Sequence, residues 1–158
     1  MRISLIVVAF LALAILSGCT PLSLRPADFA WPVEDVVTPD GGGVVHVKRY
    51  EVAFNVKAML FDAVQDSVNV TKHELRLIRS IDGYYFITAK KFKDVYVFGT
   101  GDGALELKKK IMINEKGLEA PAFNQKKPYV QLVNENKESE APILLTKDGI
   151  YVPEGGKK

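Results

Sequence analysis

The sequence predicts an antiparallel all-β domain, a sandwich or a small barrel, with room for one short helix near residues 58–68. Three observations predict it. Short runs of alternating apolar and polar residues recur between Phe29 and Val152, which is the period of a strand with one buried face. Turn residues separate these runs at fairly regular spacing, including the Asp-Gly pairs at Asp82-Gly83 and Asp148-Gly149. A parallel sheet would need crossover helices of about ten residues or more, and the chain has space for one at most.

Taken in order, Phe29, Trp31 and Val33 alternate with Ala30, Pro32 and Glu34, so 29–37 reads as a strand. Pro32 has no N–H to donate and limits that strand to an edge or to an irregular form. Pro39-Asp40-Gly41-Gly42-Gly43 is a turn. From Val44 to Val56 the pattern predicts one strand, with Tyr50, Val52, Phe54 and Val56 on one face and Glu51, Asn55 and Lys57 opposed. Within 58–68, Leu60, Ala63, Val64 and Ser67 fit a helical face. Leu75 and Leu77 then begin a strand, and Asp82-Gly83 turns it into Tyr84–Thr88. Val95–Phe98, a Gly99–Gly103 turn and Leu105–Ile113 follow, then Tyr129–Val133 and a polar loop over 134–140. Ile143–Thr146 and Ile150–Val152 flank Lys147-Asp148-Gly149 as a last hairpin.

Ahead of all this, Met1-Arg2 opens an apolar run from Ile3 to Leu16 that ends in Ser17-Gly18-Cys19. A positive start, a short apolar stretch and a small-residue end are the parts of a secretory signal. The run is about 14 residues long where a spanning helix needs roughly 20, so a permanent transmembrane anchor is disfavoured. Leu16-Ser17-Gly18-Cys19 resembles the lipobox of bacterial lipoproteins. The resemblance implies a diacylglycerol thioether on Cys19 and cleavage before it. It covers the targeting segment alone, about an eighth of the chain. Cys19 is the only cysteine, so no intramolecular disulfide competes for it. Two or more acyl chains hold a protein on a bilayer, where one binds only marginally. By resemblance to Gram-negative lipoproteins, Thr20 is not the aspartate that retains proteins at the inner membrane. That favours the outer membrane, facing the periplasm.

The domains expected are therefore a signal peptide at 1–18, a lipidated tether at 19–28 with Pro21 and Pro26, and one β-rich domain at 29–158. About 140 residues are enough for one core. The whole chain carries 21 basic and 19 acidic side chains, too even a balance for a nucleic-acid-binding field.

Candidate chemistry is sparse. Gly99-Thr100-Gly101-Asp102-Gly103 follows a strand like a phosphate loop, but the next segment alternates like a strand and offers no helix N-terminus. A plain turn fits better. His46 and His73 are the only histidines, fewer than the three or four ligands a zinc site needs, and both read as solvated. None of Ser23, Ser67, Ser80 and Ser139 lies in a nucleophile motif. Glu34 and Asp35 are adjacent in a strand and so point to opposite faces, which does not suit paired carboxylate catalysis, and both read as solvated. No catalytic residue, metal ligand or cofactor-binding residue is assigned.

Lys90-Lys91-Lys93, Lys108-Lys109-Lys110 and Lys126-Lys127 could meet anionic lipid head groups, yet lysines also guard strand edges against aggregation. Tyr84, Tyr85, Tyr96 and Trp31 could form an interface patch, though strand alternation puts some of them in a core.

The expectation is a non-catalytic envelope lipoprotein, held on the membrane by its lipid anchor and docking on other envelope proteins. Two alternatives stay open. One is a carrier of lipid or another apolar molecule, which predicts a cavity lined by residues such as Phe54, Phe86 and Phe98. The other is a hydrolase, which would need a cleft gathering a histidine with a serine or a carboxylate.

Overall fold

The computed structural model describes residues 34–134 and 141–153, all within the unit spanning Trp31–Lys158. Cys19, the tether, the Phe29–Val33 stretch and most of the 134–140 loop lie outside the described residues.

The centre is an antiparallel five-stranded sheet. Strand β1 is Asp35–Val37, β4 is Leu75–Arg79, β5 is Tyr85–Ala89, β6 is Asp94–Gly101 and β7 is Ala104–Met112, in the order β1-β4-β5-β6-β7. As predicted, Asp82-Gly83 closes the β4–β5 hairpin. The Gly83 N–H bonds the Ser80 carbonyl at 3.0 Å, and Gly83 takes the positive φ of 85° that the turn requires. A second sheet is formed by β8 (Pro121–Lys126), β9 (Tyr129–Asn134), β10 (Ile143–Thr146) and β11 (Gly149–Ile150), in the order β11-β10-β9-β8. The remaining layer is a separate hairpin, β2 (Val44–Val47) with β3 (Val52–Asn55), running into helix α1 (Lys57–Val64).

Alternation sends the central sheet's side chains to two cores. Leu75, Leu77, Tyr85, Ile87 and Tyr96 meet Val45, Val47, Val56 and Leu60 of the hairpin–helix layer. Ile78, Phe86, Val95, Val97 and Ile111 meet Phe123, Val130, Leu132 and Leu145 of the second sheet. The two sheets make a sandwich, and the central sheet is covered on both faces. Each fully buried Leu, Ile or Phe side chain contributes roughly 1.5–3 kcal/mol from leaving water. All five residues of β5 are buried, including Thr88, whose hydroxyl donates to the Asp94 carbonyl at 3.0 Å.

The fold is all-β with one short helix, as the sequence predicts, but three elements differ in detail. The single strand expected over Val44–Val56 is a hairpin. It reverses through a 3₁₀ turn at Lys48–Tyr50, with Glu51 in the left-handed region at φ 53°. No glycine or proline marks that reversal. It is held instead by Arg49 on Asp35 at 3.5 Å and by Tyr50 edge-on to Tyr85 at 5.6 Å. The Gly99–Gly103 turn is shorter than expected, because β6 runs to Gly101 and only Asp102-Gly103 turns. Strand β8 was not expected. It buries Pro121, Phe123 and Gln125, of which only Phe123 is strongly apolar, so the period is muted.

Candidate functional site

On the face of the central sheet away from the sandwich lies an open groove of about 1230 Å³. Ile87, Tyr96, Phe98 and Leu105 give it an apolar floor, and Val52, Phe54 and Met59 add an apolar wall. Strand period puts Tyr96, Phe98 and Thr100 on one face of β6. The cross-strand partners Lys110, Leu107 and Leu105 sit beside them on β7.

The lining has a second character. It includes every residue from Glu51 to Val56 and every residue from Thr100 to Leu105. A strand that offers only a face contributes alternate residues, so an unbroken run means that the backbone edge itself borders the groove. Hydrogen-bond register fixes which groups point there. The Val56 N–H bonds the Gly43 carbonyl at 2.8 Å, which makes Val45–Phe54 and Val47–Val52 the bonded pairs of the hairpin. The N–H and C=O groups of Ala53 and Asn55 therefore point away from β2. Among the described residues these groups have no backbone partner.

One end of the groove carries a polar cluster. The Tyr96 hydroxyl donates to Asp62 Oδ2 at 2.5 Å, and Lys110 Nζ donates to the same oxygen at 2.7 Å. Lys110 Nζ also lies 5.6 Å from the Tyr96 ring centroid. The Lys110 ammonium, then the Tyr96 hydroxyl, hold the Asp62 carboxyl below its ordinary range. The hydrogen bond to Asp62 raises Lys110. Burial, then the bond to Asp62, raises the Tyr96 phenol. All three shifts move away from neutral pH, opposite to the tuning of a general acid or base. The cluster acts as a clasp that pins α1 to β6 and β7. With Glu51 and Asp102 also at the groove, its charged lining is three acidic groups to one basic.

The residues singled out from sequence are scattered. His46 is exposed in β2. His73 is not simply solvated: its Nε2 lies 3.4 Å from Asp66 Oδ2, and its side chain is mostly covered. Asp66 Oδ1 accepts the N–H groups of Val68 and Asn69, each at 2.9 Å, and these bonds hold the carboxyl at about 2. Nor is Glu34 a solvated carboxylate. It accepts from Arg76 at 3.1 Å and from the Phe123 N–H at 2.9 Å, joining β4 to β8. Ser80 Oγ accepts the Tyr84 N–H at 3.2 Å within its turn. Among the described residues, no three His, Cys, Asp or Glu side chains gather as a metal site would require.

Lys90, Lys91 and Lys93 are exposed, as are Lys126 and Lys127. Lys108 pairs with Glu106 at 2.6 Å. Tyr85 and Tyr96 are core residues, while Tyr129 stacks on Tyr151 with ring centroids 4.2 Å apart. Of the three phenylalanines expected around a cavity, Phe54 and Phe98 line the groove. Phe86 is buried in the opposite core.

Sequence reading missed Asp62, whose partners lie 34 and 48 positions away. It also missed the free edge of β3, because the reversal before that strand was not legible. Compared with known proteins, the chain matches no family model, no curated protein and no solved structure.

Proposed function

We propose that this chain is a lipid-anchored accessory protein of a bacterial envelope, whose β-domain binds other envelope proteins through the groove beside β3. The lipobox at Leu16-Ser17-Gly18-Cys19 supports the anchor, and the residue after Cys19 supports an outer-membrane, periplasm-facing position. The observation that carries the binding role is the apolar groove with a backbone edge along one wall. Exposed apolar concavities mark sites of association.

Metabolic labelling with a fatty acid tests the anchor. Label should enter the wild-type chain and not the Cys19→Ala variant. Native mass spectrometry of the full-length protein, extracted gently from its own envelope, tests the role. A reproducible protein partner supports this reading, and repeated recovery of the chain with no protein attached defeats it.

A second reading is favoured by one observation, the presence of Phe54 and Phe98 in the groove. A carrier of an apolar molecule would use the same floor. It would appear in the same spectra as a small added mass without a protein partner.

A further inference from the structure

Resting on the reading of a protein-binding groove, we infer that its occupant is an extended peptide segment of the partner. That segment pairs with the free edge of β3 as a third strand, with apolar side chains on alternate residues and a basic residue among the outward ones.

Covering the groove leaves polar groups that its occupant must satisfy. Any occupant that seats on Phe98, Leu105 and Phe54 also removes water from the edge of β3. The N–H and C=O groups of Ala53 and Asn55 face that edge. A backbone polar group that loses water and gains no partner is penalised. A hydrocarbon chain covers the floor and leaves these groups stranded. A helix spends its own backbone bonds internally and leaves them stranded too. An extended peptide alone offers donors and acceptors at the spacing of the edge, which is how strands add to open sheets.

The side-chain chemistry follows from the same geometry. An added strand presents alternate residues to the floor, so every second side chain should be apolar. The charged lining of Glu51, Asp62, Asp102 and Lys110 has an acidic excess, and Lys110 is already engaged by Asp62. Lysine or arginine on the occupant complements it. β3 has four residues, so the paired stretch is short, and the floor rather than the ladder must supply much of the affinity.

The test uses the full-length acylated protein in lipid nanodiscs and a pool of random seven-residue peptides. The strongest binder is resynthesised with a single N-methyl group at each position in turn. Strand addition predicts an alternating apolar pattern with a lysine or arginine. It also predicts at least a tenfold loss of binding for N-methylation at the two alternate residues that pair with Ala53 and Asn55, and little effect elsewhere. The variant Ala53→Pro removes an outward N–H that β2 does not use, and it should weaken binding by a similar factor. Should Ala53→Pro fail to fold, the alternating N-methyl profile tests the same pairing on the unaltered protein.

A uniform N-methyl profile, a helical binder, or no peptide binder while a fluorescent fatty acid binds would each overturn the inference. An envelope partner that binds Ala53→Pro as tightly as wild type removes strand addition and keeps the accessory role. The absence of any envelope partner removes the role itself.

Discussion

Asp62 serves two donors with one oxygen, the Tyr96 hydroxyl and the Lys110 ammonium. Asp62→Ala leaves the phenol without its acceptor and the ammonium unpaired. The carboxylate is well exposed, so solvent softens the loss to about 1 kcal/mol, readable as a lowered thermal midpoint. Burial raises the Tyr96 phenol and the bond to Asp62 raises it further; the same change removes that bond, so spectroscopic titration should show the tyrosine ionising at lower pH than in wild type. Asp66 gives a second dependence on pH. Its folded value of about 2 lies below the ordinary 3.8, so the stabilisation is complete above 3.8 and is lost as pH falls toward 2. Acid unfolding followed by circular dichroism should flatten across that window in Asp66→Asn. Little of this was visible in the sequence. The Asp66 turn is local, within three residues, but the Asp62 clasp joins positions far apart in the chain and has no short-range signature.

Gly117 shows what an element boundary can demand. It takes φ of 85°, and a Cβ placed there would lie 2.7 Å from the Lys91 carbonyl oxygen, a backbone atom that cannot swing away. That contact belongs to the docking of the 113–120 segment on the β5–β6 turn, where the Lys91 N–H bonds the Leu118 carbonyl at 2.7 Å. Gly117→Ala should therefore destabilise by about 2 kcal/mol or more, checked by denaturant unfolding. At this scale the sequence was most legible where a turn carries its own chemistry. Asp82-Gly83 and Asp148-Gly149 announced their hairpins, and Leu60 with Ala63 and Val64 announced the helix. The reversal at Lys48–Glu51 was hidden because tertiary contacts, not turn residues, hold it. Strand β8 was hidden because glutamine and proline occupy two of its inward positions.

Across the molecule, the central sheet is shared by two cores, and the alternation that builds one also builds the other. Leu60→Ala empties the helix-side core at a cost of about 2–5 kcal/mol, and Phe86→Ala the sandwich-side core at about 3–5 kcal/mol. Because β4, β5 and β6 contribute to both, either loss should lower one common transition rather than split it, as calorimetry against circular dichroism would show. The all-β class and the antiparallel order of hairpins were readable from sequence. The covering of both sheet faces was not, since no local pattern says which two faces meet. The two outer layers are joined to the central sheet in unlike ways. The segment leading into the second sheet bonds the β5–β6 turn backbone to backbone, the Lys91 N–H to the Leu118 carbonyl at 2.7 Å and the Leu118 N–H to the Phe92 carbonyl at 2.8 Å, whereas β2, β3 and α1 share no backbone-to-backbone hydrogen bond with either large sheet among the described residues. A layer attached through side chains alone can lift and reseat without breaking a ladder, so its amides should exchange with solvent deuterium well before those of β5.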